Sequence, residues 1–234
     1  MQCLPEFVTQ ELEIRIQYFL LPDDKNLEAQ SWQYISYILQ HQASNGWLGV
    51  DDITGGNMYW GRWNLLNAFR MYAEGNSTMA QQLKQSMLRF ILQQQYRMMH
   101  NTSYGNTWSG ARWMDFTLSV MWLLENGGDI INGYTQNLTD VIVLGYEQGF
   151  NWEDWFAYDL PHQPDQPANL YNHGVNVAQA FKSAAVWYRY DSTNETLRNL
   201  SLSRLEAVDM YHGQATGMFA ADEYLAGKKQ HLSK

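Results

Sequence analysis

Cysteine is almost absent from this chain of 234 residues: a single thiol, Cys3, cannot form an internal disulfide or supply a multi-thiolate metal site. Any thiol chemistry rests on Cys3 alone. Positive charge is also in short supply, because 15 Lys and Arg stand against 24 Asp and Glu for a net charge of −9. Such a surface repels phosphate and gains nothing from counterion release, so no nucleic-acid partner is expected. Long apolar runs are missing too. The longest, around Phe116 to Leu124, is interrupted by Thr117 and Ser119 and is too short for a membrane span. The N-terminus runs from Met1 to Glu13 without a basic start or an apolar stretch, so no signal peptide is expected. There is no P-loop, no dinucleotide fingerprint behind a strand, no His-Glu-x-x-His and no Gly-x-Ser-x-Gly.

What is present is apolar and aromatic. Hydrophobic residues make up 45% of the chain, with ten Trp, 15 Tyr and nine Phe, which excludes intrinsic disorder and suits one domain over residues 1–234. Helical periodicity dominates. In Gln81 to Met99 the apolar Leu83, Met87, Phe90, Ile91 and Leu92 recur at steps near three and four between Gln and Lys residues. Comparable stretches predict helices over Leu27 to Gln42, Trp63 to Ala73, Trp113 to Glu125, Leu138 to Gln148, Val175 to Tyr190 and Leu197 to Tyr211. About eight helices and no strand make the expected fold class all-α. Asp159 to Asn172, with Pro161, Pro164 and Pro167, is the one long irregular segment and predicts a surface loop. Sequons at Asn76, Asn101, Asn137, Asn194 and Asn199 exceed the roughly two expected by chance and suit a secreted glycoprotein.

Internal repetition organises these helices. Tyr59-Trp60-Gly61-Arg62-Trp63 opens one, Gly110-Ala111-Arg112-Trp113 opens another fifty residues on, Asn172-His173-Gly174-Val175 opens a third 61 later, and a weaker instance ends in Glu223 after fifty more. One outer and one inner helix per unit is the αα-hairpin repeat of a solenoid or closed toroid. If the repeats close, Arg62, Arg112, His173 and Glu223 gather at one mouth, flanked by Trp60, Trp63 and Trp113, and suit a hydroxyl-rich ligand.

Each of these residues has two readings. Glu223, among Phe219, Tyr224 and Leu225, is either a desolvated carboxyl with a raised pKa and general-acid capacity, or an ordinary exposed carboxylate. His173, at a helix start, is either a neutral imidazole facing a sugar hydroxyl, kept uncharged by the helix dipole, or a cap or core histidine. Arg62 and Arg112 either fix ligand oxygens or tie the fold together by pairing with carboxylates such as Asp115 or Asp154. Trp residues stack on sugars or fill the core, and most are assigned to the core. His212, eleven residues before Glu223, approaches the same mouth or caps its own helix.

Seven short pieces in order across residues 45 to 227 give the sequence a family resemblance. They are Asn45-Gly46-Trp47-Leu48-Gly49, Tyr59-Trp60-Gly61-Arg62, Ala111-Arg112-Trp113-Met114-Asp115, Asp154-Trp155-Phe156, His173-Gly174-Val175-Asn176-Val177-Ala178, His212-Gly213-Gln214 and Asp222-Glu223-Tyr224-Leu225-Ala226-Gly227. In these the chain resembles the helical catalytic domain of glycoside hydrolase family 127, the β-L-arabinofuranosidase-like proteins. The resemblance implies an (α/α)6 barrel, retaining hydrolysis of a terminal arabinofuranoside, and a Glu acid/base working with a zinc-bound cysteine thiolate. By motif position Glu223 is the implied catalytic acid/base, and His173, with Arg62 and Arg112, falls in the implied sugar pocket.

The chain departs from that pattern in one respect. Relatives carry a Glu-x-Cys zinc motif and further cysteines beyond this Glu, whereas here Lys234 is the last residue, eleven after Glu223. Without the sulfur and its cation the covalent step is not expected, and no cofactor or metal site is assigned within this chain. Six units of about fifty residues need roughly 300, and 234 supply between four and five, so the expected form is an incomplete (α/α)6 barrel whose open apolar edge suits self-association. The leading expectation is thus a glycosidase-like domain inactive as this chain, with a carbohydrate partner. A carbohydrate-binding pseudoenzyme and an αα-repeat interaction scaffold are the alternatives.

Overall fold

A computed structural model describes residues 25–49, 59–100, 107–162, 169–219, 223–225 and 227. Cys3, the sequon at Asn101, Asp222 and the middle of the expected proline loop lie outside the described residues. Among the described residues the structure is helical, with no strand and one isolated β-bridge, so the fold class is all-α. None of these helices is long and apolar enough to cross a membrane. The helices are α1 (Lys25–Gln40), α2 (Trp60–Gly75), α3 (Ser77–His100), α4 (Trp108–Ala111), α5 (Trp113–Asn126), α6 (Thr135–Gln148), α7 (Trp152–Asp154), α8 (Gly174–Ala180), α9 (Ser183–Tyr190) and α10 (Leu200–His212). The chain divides into two compact units, one from residues 1–104 and 115–148, the other from 105–114 and 149–234.

The first unit is built on α3. Its buried Leu83, Met87, Phe90, Ile91, Gln94 and Met98 form a stripe at steps of three and four that contains the expected apolar positions except Leu92, which is half-buried. That stripe lies against α2 and α6. Each apolar side chain of the stripe removed from water contributes about 1.5–3 kcal/mol, which holds the helix in place. Asn76 makes the reversal from α2 to α3. Its N–H closes α2 on the Tyr72 carbonyl at 2.9 Å, while its Oδ1 receives the Met79 N–H at 3.3 Å and satisfies a free amide at the start of α3. Trp63 stacks on Phe116 with ring centroids 4.3 Å apart and is buried. It is core, and does not flank a mouth.

Trp47 and Leu48 are also buried, carried by the turn after α1. Gly46 makes that turn at φ 91°, where a Cβ would sit 2.3 Å from the Arg89 carbonyl oxygen. Only glycine fits there.

The second unit is shorter in its helices and denser in aromatics. Thr107 caps α4 by accepting the Gly110 N–H at 3.3 Å, and Asn151 caps α7 by accepting the Asp154 N–H at 3.1 Å. The chain continues from α7 as a π turn, Trp155–Asp159. Trp152 donates its indole N–H to the Ala111 carbonyl at 2.8 Å, and the Phe150 N–H reaches the Gly110 carbonyl at 3.1 Å. These two bonds fasten the α4 segment to the rest of the unit. Arg204, buried on α10, donates to Ser183 at 2.7 Å and to Glu153 at 3.1 Å, with its guanidinium over the Phe156 ring. The helix expected over Val175 to Tyr190 is in fact two, α8 and α9, broken at Phe181 and Lys182. Phe181 packs on Phe156 and Phe219 there, so aromatic contacts interrupt a segment whose local propensity favours continuity.

Candidate functional site

Three of the four residues expected at helix starts belong to the second unit, where the backbone brings two of them together. Asn172, His173 and Gly174 lead into α8 in an extended segment, with His173 at φ −67° and ψ 122°. Against it lies the turn carrying Glu223. The Gly174 N–H donates to the Glu223 carbonyl at 2.8 Å, and the Leu225 N–H donates to the Asn172 carbonyl at 2.9 Å. This antiparallel bridge pairs His173 with Tyr224, whose rings meet edge to face at 5.6 Å. Residues fifty apart in sequence become neighbours through main-chain bonds.

Arg112 is the third member. It occupies the joint between α4 and α5, in a backbone conformation outside the helical region (φ −111°, ψ 23°), and is only 6% exposed. Its Nε donates to Asn176 Oδ1 at 2.7 Å, and Asn176, itself fully buried, donates onward to the Leu170 carbonyl at 2.8 Å. The guanidinium carbon stands 5.2 Å from the Trp108 ring centre, and Trp108 meets His173 edge to face at 4.9 Å. Arginine, indole and imidazole thus form one continuous contact series.

His173 is half-buried, and its Nδ1 is enclosed without a hydrogen-bond partner. Burial, then the positive charge of Arg112, pushes its pKa below the ordinary histidine value, while the Glu223 carboxylate pulls it the other way. The imidazole is neutral at pH 7. Its neutrality comes from desolvation and Arg112; α8, which it precedes, has only seven residues. The result is a cation, an uncharged ring with a spare nitrogen, an indole face and a carboxylate within one unit. Such a set combines charged groups, a neutral imidazole and an aromatic surface in one place.

Other expectations need correction. Glu223 sits in a turn and opens no helix among the described residues, and its side chain is exposed. Leu225 is buried and Tyr224 half-buried beside it, but their apolar bulk packs inward and does not enclose the carboxyl. Trp113 is buried, and so is core. His212 neither lines the site nor stands free, since it is fully buried at the end of α10 with both ring nitrogens engaged. Its Nδ1 accepts the Gly227 N–H at 2.9 Å, which leaves Nε2 to donate to the Pro161 carbonyl at 2.6 Å. Comparison of the chain with protein families, curated proteins and solved structures found no match.

Arg62 and Trp60 belong to the first unit. Arg62 Nε donates to the Leu48 carbonyl at 3.0 Å, and its guanidinium lies 4.9 Å from the Trp47 ring centre, so it braces the turn after α1. Trp60 is half-buried at the first position of α2. Sequence reasoning passed over Trp108 and gave Asn176 no role. Thr107 at a cap position before Trp108 was the available signal. The described residues include no cluster of three His, Cys, Asp or Glu able to hold a metal, and Cys3 lies outside them. Among the described residues there is no ligand set for the zinc that the family resemblance implies.

Proposed function

We propose that the second unit is the sugar-binding portion of a β-L-arabinofuranosidase-like helical domain, and that this chain binds arabinofuranoside-type sugars without turning them over. The observation that carries this reading is the main-chain clamp that sets Glu223 beside His173, with Arg112 and Trp108 in contact with that histidine. In it Trp108 stacks on the sugar's apolar face, the neutral His173 exchanges a hydrogen bond with a ring hydroxyl, and Arg112, steadied by Asn176, holds a second oxygen. Glu223, exposed in the free chain, stands at the position of the family's acid/base but has no nucleophile to work with.

Hydrolysis with retention also needs a nucleophile on the opposite face of the sugar, and the resemblance assigns that role to a zinc-bound thiolate. A chain whose one thiol is Cys3 supplies neither the thiolate nor its cation, so binding without turnover is the reading that fits. Within the same reading the helices belong to an incomplete (α/α)6 barrel. Leu202, Leu205 and Met210 on α10, all well exposed, then mark an apolar edge suited to self-association.

Titration of the chain with arabinose and arabinofuranosyl oligosaccharides, followed by tryptophan fluorescence, tests the reading. A saturable change that Trp108→Ala abolishes is the expected result. A flat titration overturns the binding claim. Release of the aglycone from an aryl arabinofuranoside with retention, dependent on added zinc, overturns the claim of missing machinery.

A further inference from the structure

The five Asn-x-Ser/Thr triplets are not equivalent once folded. A glycan is bulky and hydrophilic, so the acceptor amide must reach solvent on the finished surface and be free of competing contacts. Asn101 lies outside the described residues. Asn76 is half-buried, holds the Met79 N–H through Oδ1, and lines a recess of about 400 Å³ with Trp32 and Tyr72. Asn137 is half-buried inside α6, and its Nδ2 donates to Gln95 Oε1 on α3 at 2.8 Å, so a glycan there has to prise one packed helix from the other. Asn199 is exposed, yet the hydroxyl of its Ser201 is buried without a partner and is out of reach on the folded surface.

Asn194 differs from all of these. It is exposed in the connection between α9 and the 3-10 turn Glu195–Asn199. Its Oδ1 accepts both the Thr196 N–H at 3.2 Å and the Thr196 hydroxyl at 2.5 Å, so the asparagine and the hydroxyl that define the triplet already face each other. The amide nitrogen has no hydrogen-bond partner among the described residues, and the flanking Ser192, Thr193 and Glu195 are exposed as well. We propose that Asn194 is the acceptor of an N-linked oligosaccharide. In the transfer the Asn194 Nδ2–C1 bond forms as the C1–O bond of a lipid-diphosphate-linked oligosaccharide breaks. The diphosphate leaves with the bonding electrons and the amide proton passes to a base of the transferase. The modification places the chain on a secretory route, and it holds whether or not the second unit binds sugars.

The test is translation of the full chain behind a cleavable secretory leader into eukaryotic microsomes, scoring only the protease-protected product. The expected product carries a glycan that amide-cleaving glycosidase removes, leaving Asp at position 194 by peptide mass spectrometry. Asn194→Gln loses one glycan, Thr196→Val loses the same glycan with the acceptor asparagine still in place, and Asn137→Gln leaves the glycan number unchanged. Sugar binding does not enter this readout. A protected chain bare at Asn194, a glycan at Asn137 instead, or a chain that never becomes protected overturns the proposal.

Discussion

Replacing His212 by Ala tests how the Glu223 segment is held. The imidazole is fully buried and joins three stretches that are distant in sequence: the end of α10, Pro161 and Gly227. Its removal leaves the Gly227 N–H and the Pro161 carbonyl without partners. Each buried polar group so orphaned costs about 1–3 kcal/mol, so the pair costs about 2–6 kcal/mol before any term for the cavity. The same geometry sets a pH dependence. Nδ1 accepts a hydrogen bond and has no room for a proton, and burial, with the charge of His162 acting the same way, pushes the His212 pKa below the ordinary 6.5, while the Pro161 carbonyl works against that shift. The unfolded chain then binds a proton near pH 6.5 that the folded chain refuses, so stability is highest above that pH and falls as pH drops towards the folded pKa. The decline amounts to at most about 1.4 kcal/mol per pH unit for one histidine and levels off below the folded value. His173, also lowered, adds in the same sense. Urea unfolding at several values between about pH 8 and about pH 5 measures both effects. His212→Ala is expected to unfold at lower urea throughout and to lose its share of the slope. Amide exchange in the peptide covering Glu223 to Gly227 is expected to accelerate. A variant with the wild-type midpoint, or with an unaltered slope, refutes the argument that His212 holds the segment in its neutral form.

Substitutions at Gly46, Gly133, Arg204 and Arg112 probe further joints. Gly46→Ala brings a Cβ against the Arg89 carbonyl at positive φ, whereas Gly133→Ala at φ 83° meets open space; thermal melts are expected to show only the left-handed strain of about 1–2 kcal/mol for Gly133→Ala and a larger loss for Gly46→Ala. Arg204→Ala strands Glu153, whose side chain keeps 21% exposure, at a cost of about 3 kcal/mol. Arg204→Met, which keeps the packing over Phe156, is expected to cost less in the same denaturation series. Arg112→Met gives up the charged bond to Asn176, worth about 1.5–3 kcal/mol, and is expected to weaken the fluorescence response to sugar. Arg112→Lys restores charge without the fork, and recovery by lysine to wild-type affinity contradicts the geometric role given to the guanidinium.

What could be read from the sequence follows from which interactions are local. The stripe of α3 uses side chains within one or two turns of each other and was legible as periodicity. The split between α8 and α9 was not, because it depends on Phe181 meeting Phe156 and Phe219, partners 25 and 38 residues away. The candidate site divides along the same line. Repeat spacing singled out Arg112, His173 and Glu223, but spacing carries no information on whether a carboxyl is covered or a ring nitrogen is spent. His212 shows the difference most sharply: its sequence neighbourhood left it either near the mouth or capping its own helix, while its burial and its two main-chain partners make it a strut. Main-chain pairing of Asn172 and Gly174 with Leu225 and Glu223 leaves no side-chain pattern at all, since backbone groups are the same at every residue. The joint that defines the site is therefore the one a sequence cannot spell, and the residues that stabilise it, His212 above all, are those whose replacement should disturb the proposed sugar site without lining it.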